Sequence, residues 1–263
     1  MYEFNYHRPG SVDEAVGLIS EDAKILAGGQ SLLPTMKLRL AQPSDMIDLA
    51  GIPGLSDISV DGSTVTIGAT ATHASVAASS AVAGAIPALA KLASGIGDAQ
   101  VRNMGTMGGS VANADPAADY PAALVGLGAT VHTNSRTVAA DDFFTGIFET
   151  DLAENEIVTK VSFPVPQAAA YVKFANPASR YAIVGVFVAK TADGVRVAVT
   201  GAGGSVFRAS DMEAALNGNF SASSLDGIAV ASDDLNSDLH ASADYRAHLV
   251  SVMAKRAVQA AGG

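Results

Sequence analysis

Apolar and polar positions change their spacing several times along the chain, and each change marks an element. Ser11-Val12-Asp13-Glu14 has the form of a capping box, which predicts a short helix reaching about residue 20. The run Lys24-Ile25-Leu26-Ala27 predicts a buried strand leading into Gly28-Gly29. LLPTMKLRL then reads as a helix that tolerates Pro34 in its first turn. Short strands follow at 46–49, 58–60 and 65–68, separated by Gly, Pro and Asp turns. Residues 72–93 read as helix broken near 84–87. The stretch 95–121 carries five glycines and no sustained period, which predicts a long loop of the kind that serves function. A helix at 121–128 capped by Asp119 comes next, then strands at 129–133, 137–139 and 157–165.

Pro164-Val165-Pro166 is the natural boundary. Beyond it, strands are expected at 171–175, 181–190 and 195–201, the last two joined through the turn signal Ala192-Asp193-Gly194. Helices are expected at 210–216, 224–231 and 243–260. There is no internal repeat. The pattern is α+β: a mixed region over 1–166 and a C-terminal three-stranded sheet backed by helices.

Composition narrows the chemistry. With 16 Lys+Arg against 26 Asp+Glu the net charge is −10, which argues against binding the nucleic-acid backbone or an anionic membrane surface. No cysteine is present, so this chain ligates no iron–sulfur cluster and forms no disulfide. No stretch is apolar enough for a membrane span and the N-terminus lacks a signal-peptide core, so the expected location is cytoplasmic. The histidines, His7, His73, His132, His240 and His248, have no metal-ligand spacing. No GxSxG elbow places a nucleophile.

Two glycine loops are the features with chemistry. Ala27-Gly28-Gly29-Gln30-Ser31 joins a strand to a helix, where unsatisfied amides favour an anion and glycines let a phosphate approach the backbone. A tight turn without a ligand is the alternative. Thr106-Met107-Gly108-Gly109-Ser110, followed by Asn113 and Asp119, repeats that chemistry and adds a carboxylate suited to sugar hydroxyls. Neither loop fits GxGxxG or GxxxxGK[ST]. Asp115 and Asp119 suggest loop caps and ligand contacts more than an acid/base pair. Arg102 faces a partner or a phosphate, or forms an ion pair.

Together, AGGQSLLPTMKLRL and QVRNMGTMGGSVANADPAADYPAAL resemble the FAD-binding medium subunit of molybdenum-containing hydroxylases, a family that includes the carbon monoxide dehydrogenase medium subunit and the flavin region of xanthine dehydrogenase. The resemblance extends from FNYHRPGSVDEAVGLI to ASADYRAHLVSVMAKRAV, nearly the whole chain. It implies a two-subdomain FAD-binding fold of the vanillyl-alcohol-oxidase type over 1–166, split near residue 55, and a C-terminal domain over 167–263. It implies that both loops wrap the FAD pyrophosphate and that Asn113 and Asp119 contact the ribityl and diphosphate region. Val101 would approach FAD, Ile157 would be an apolar contact, Lys173 a cation near the flavin, and Tyr181 an aromatic beside the isoalloxazine ring. Gln30, Met107 and Ser110 depart from the frequent His, Ile and Asn, and Arg180 stands where an acidic residue is common.

The implied activity is electron transfer. A large molybdenum subunit with molybdopterin would hydroxylate substrate, a small subunit would carry [2Fe–2S] clusters, and FAD on this chain would pass electrons to an external acceptor. The complex would be a dimer of heterotrimers. A self-sufficient flavin oxidase and a cofactor-free scaffold subunit are the alternatives; the intact glycines weigh against the second.

Overall fold

The computed structural model describes residues 1–263. The chain opens on a parallel three-stranded sheet in which Asp45–Asp48 lies between Asn5–His7 and Ala23–Leu26. Its small core joins Ala15, Ile47, Leu49, Ile52 and Leu55 to Ile157 from much later in the chain. The first helix, Val12–Gly17, is capped as the sequence suggests: the Glu14 amide donates to Ser11 Oγ and the Gly10 amide to Glu14 Oε2. Ala23–Leu26 is not the buried strand expected. Asp45–Asp48 occupies the centre, so Ala23–Leu26 is an edge strand with Ile25 36% exposed.

A second, antiparallel sheet runs in the order Ile58–Asp61, Thr64–Gly68, Val158–Pro164, Thr130–Thr133, Thr137–Ala139. The alternation of its strands is plain. Val65, Ile67, Val131, Val161 and Phe163 face the main core, while Thr66, Ser162 and His132 form a hydrogen-bonded row on the other face. The C-terminal sheet consists of Ala168–Ala175, Ala182–Thr191 and Gly194–Thr200, with two-residue Phe207–Arg208 added at the edge. Ala182–Thr191 reads as a continuous apolar run because both faces are covered. Val184, Val186 and Val188 meet the Ala243–Ala260 helix, while the Ser210–Gly218 helix packs on the neighbouring strand Gly194–Thr200. Phe187 and Ala189 face the all-buried Tyr120–Leu127 helix. That approach is close: a Cβ on Gly126 would stand 2.8 Å from the Phe187 ring.

Three stretches differ from the sequence expectation. Residues 95–121 are not mainly loop: they hold the helices Ala99–Met104 and Met107–Asn113, opened by side-chain caps from Asp98 and Thr106. Helices this short have no period to detect. Residues 72–93 form three helices, His73–Ala78, Ser80–Ala85 and Pro87–Ser94, because Ser79 is extended and caps the second while Pro87 holds Ile86 out of helix. The helix expected at 224–231 shrinks to a 3-10 turn, Ala222–Leu225, before Gly227 at φ +81°. Unforeseen from sequence, a helix, Ala140–Phe143, leads into a small hairpin, Phe144–Gly146 with Glu149–Thr150.

Candidate functional site: a cleft between two glycine loops

The edge strand Ala23–Leu26 ends where the sheet does, and the chain after it turns into the Leu32–Lys37 helix through Gly29 at φ +69°. No backbone amide from Ala27 to Leu32 donates to any protein group. Six consecutive free N–H dipoles beside an open cleft form an anion cradle, with no cationic side chain among them. Gly28 is glycine for a steric reason: a Cβ there would lie 2.1 Å from the Met104 carbonyl and 2.7 Å from Gly105 Cα. The two loops therefore meet backbone to backbone.

The second loop is built differently. An antiparallel bridge between Thr72 and Thr106 anchors it. The Met107 and Gly108 amides donate to the Ala71 and Ala69 carbonyls at 2.9 and 2.8 Å. Gly109 donates to Thr106 Oγ1 at 3.2 Å, and Ser110 to the Thr106 carbonyl at 3.1 Å. A Cβ on Gly108 would come within 2.5 Å of Ala69 Cβ, whereas one on Gly109 would meet only Thr106 Oγ1 at 2.8 Å and Ala27 Cβ at 3.8 Å. Gly108 serves packing and Gly109 stands open to the cleft.

The cleft is about 700 Å³ and 34 residues line it. Of the residues singled out from sequence, Ala27, Gly28, Gly29, Gln30, Ser31, Val101, Thr106, Gly108, Gly109, Ser110, Asn113, Asp119, Ile157 and Tyr181 are on its wall. Met107 is not: it is fully buried in the main core. Lys173 is not on the wall either. Its ammonium donates to Asp119 Oδ2 at 3.0 Å, to the Gly95 carbonyl at 2.9 Å and to the Arg180 carbonyl at 2.8 Å. Asp119 does not cap the helix that follows it. Its buried carboxylate accepts from Tyr171 Oη and Lys173 instead. Burial outweighs these two donors and holds its pKa above the ordinary carboxylate range. Asp115, likewise raised by burial, accepts from the Ala117 amide at 2.9 Å.

Three cations converge on the carbonyls of 95–97. Besides Lys173 on Gly95, Arg102 donates to Ile96 and Gly97 at 3.0 and 2.9 Å, and Arg180 to Gly97 at 3.2 Å. Arg102 is thus spent on backbone and forms no ion pair. Arg180 adopts φ +63° and ties its loop across to Gly97, which sets the neighbouring Tyr181, 45% exposed, on the wall. Burial first, then the charges of Asp115 and Asp119, raise the Tyr181 phenol pKa.

Sequence reasoning missed three wall residues of note. His73 is 4% exposed, its Nδ1 has no partner, and burial, with Arg102 adding repulsion, lowers its pKa to about 4. A lone histidine at a helix start gave no signal. Leu152 and Phe148 come from the unforeseen hairpin region. Free amides for a phosphate, hydroxyls of Thr106 and Ser110, and an exposed phenol for a flat ring fit a dinucleotide with a central pyrophosphate.

Fold and cleft fit a protein that binds a dinucleotide such as FAD. Residues 2–166 match the family described as the FAD binding domain in molybdopterin dehydrogenase, and 169–261 match the CO dehydrogenase flavoprotein C-terminal domain. The chain belongs to the family of FAD-binding medium subunits of molybdenum hydroxylases. It is 41% identical to the nicotine 6-hydroxylase medium subunit of Paenarthrobacter nicotinovorans, over 98% of this chain and 96% of that one. It is 38% identical to the carbon monoxide dehydrogenase medium chain of Hydrogenophaga pseudoflava, over the same shares. A solved structure of carbon monoxide dehydrogenase from that organism superposes with a TM-score of 0.90 at 38% identity, covering 99% of this chain and 98% of that chain. Quinoline 2-oxidoreductase from Pseudomonas putida 86 does so with a TM-score of 0.89 at 30% identity, covering 99% and 97%. The chain is an oxidoreductase subunit with FAD as its cofactor; in complexes like carbon monoxide dehydrogenase, molybdopterin and iron–sulfur clusters belong to the other subunits. No helix is long and apolar enough to cross a membrane.

Proposed function

We propose that this chain is the electron outlet of a cytoplasmic molybdenum hydroxylase, assembled with a large molybdenum subunit and a small iron–sulfur subunit as a dimer of heterotrimers. When bound, FAD supplies the redox chemistry, accepting electrons from the partner's [2Fe–2S] clusters and delivering them to an external acceptor. The chain's own residues hold and orient it. Residues 1–166, in two subdomains split near residue 55, would form the cofactor-binding part, with 167–263 closing one side. Ala27 to Ser31 hold the pyrophosphate through free amides, Thr106, Gly109, Ser110 and Asn113 bound it from the second loop, and Ile157 and Val101 give apolar contact. Tyr181 takes a ring face, and Lys173 acts from behind the wall by fixing Asp119 and the 95–97 turn.

The run of six unpartnered amides is the observation that carries this reading. The test is to express the chain with its partner subunits and follow the visible spectrum. A flavin band bleached by the complex's substrate and restored by an acceptor supports the proposal. Substrate-reduced iron–sulfur clusters beside a flavin that stays oxidised would contradict it.

A further inference from the structure

Phe148 occupies a position that folding alone does not explain. It sits in the turn of the hairpin Phe144–Gly146 and Glu149–Thr150, whose flanking residues Gly146 and Glu149 pair. Its φ is +55°, the backbone region that glycine or asparagine favours at such a turn. Of the four non-glycine residues with positive φ, Arg39, Ala114, Phe148 and Arg180, it is the only aromatic one. Strain of this sort persists where the surroundings impose it and gathers at ligand clamps. Yet the ring is 57% exposed, so burial in this chain returns little for it.

Its neighbours show what the turn achieves. Ile147 leans on the C-terminal portion, where a Cβ on Gly204 would stand 3.1 Å from Ile147 Cγ1. Phe148 goes the other way and lines the cleft. Phe148 and Tyr181 are the two phenyl-type rings on that wall. We infer that Phe148 is a ring-binding residue: its face packs on a planar aromatic ring held in the cleft, either a ring of FAD itself or the ring of an aromatic electron acceptor. This rests on the flavin reading above. Stacking of that kind needs an exposed aromatic face held in a fixed direction, and a strained two-residue turn closed by the Gly146–Glu149 pair supplies both.

Phe148→Gly and Phe148→Tyr separate the possibilities, because glycine removes the ring and suits the backbone. The FAD dissociation constant of the full chain assembled with its partners is measured by fluorescence titration. The reoxidation of the dithionite-reduced, FAD-loaded protein is then timed with menadione, a ring acceptor, and with ferricyanide, which has no ring. The melting temperature of Phe148→Gly without FAD should not fall, and Phe148→Tyr should match the wild type. A rise in the Phe148→Gly FAD dissociation constant of roughly threefold or more assigns the ring to the cofactor. Slowing by about as much with menadione, ferricyanide unchanged, assigns it to the acceptor. Changes in both measurements smaller than this, or a lower melting temperature for Phe148→Gly, would overturn the inference. Failure of the wild type to take up FAD would contradict the flavin reading itself.

Discussion

His73 shows how one residue couples the cleft to solution conditions. Burial first, then repulsion from Arg102, disfavour a positive charge on its ring, so the folded chain protonates it only near pH 4, against about 6.5 when unfolded. Between those values the unfolded chain binds a proton that the folded chain does not. Stability from this group is therefore complete above about pH 6.5, falls on acidification toward pH 4, and levels off below. The full effect is about 3 kcal/mol. In urea titrations across that window, wild-type stability should fall more steeply than that of His73→Gln. Equal slopes would place the acid sensitivity elsewhere. A second prediction concerns glycines: Gly28→Ala forces the loops apart and should cost roughly 1–3 kcal/mol along with FAD affinity. Melting and FAD titration measure the two losses, and an unchanged melting temperature would contradict the backbone contact. The sequence marks Gly28 as a candidate phosphate-loop glycine. Its contact with Met104 and Gly105 is not legible there, because that depends on a segment far along the chain.

At the scale of elements, the loops divide their work. Gly108 packs on Ala69 and Gly109 faces the cleft, though they are adjacent and chemically identical. Gly108→Ala should therefore lower the melting temperature, while Gly109→Val should leave the fold largely intact and abolish FAD retention. Equal melting losses, read by circular dichroism beside flavin content, would refute the distinction. The Asp119–Lys173 pair is a second element-level joint, tying the Tyr120–Leu127 helix to the Ala168–Ala175 strand and the 95–97 turn. Lys173→Met leaves a buried carboxylate without its counter-charge and should cost about 3–5 kcal/mol, and adding Asp119→Asn should restore part of it. A double variant no more stable than Lys173→Met in denaturant titration would sink that reading. Asp119 reads from sequence as a helix cap because local pattern compares near neighbours. Its real partners, Tyr171 and Lys173, lie 52 and 54 residues away. The helices at 99–113 were missed for the converse reason: their cap residues are visible, but six or seven residues hold too little periodicity to outweigh the glycines.

For the whole molecule, the layers were legible where a face is half buried and the alternation survives, as in Thr64–Gly68 and Val158–Pro164. The continuous run of Ala182–Thr191 also read correctly, since helices cover both its faces. The small hairpin did not: its strands hold three and two residues, and Phe148 breaks the residue preference of its own turn. A chain without cysteine cannot ligate iron–sulfur clusters, so the proposed electrons must enter across an interface with a cysteine-bearing partner. The central claim is that the six free amides of Ala27 to Leu32 hold the FAD pyrophosphate. It is tested most directly by titrating FAD into the assembled protein carrying Leu32→Pro, which removes one of those N–H groups at the first helical position, where proline fits, beside the wild type. The wild type should take up one FAD per chain with its visible flavin band, and the variant should show affinity lowered at least tenfold in a chain that still assembles. Equal FAD affinity in the two proteins would contradict the claim.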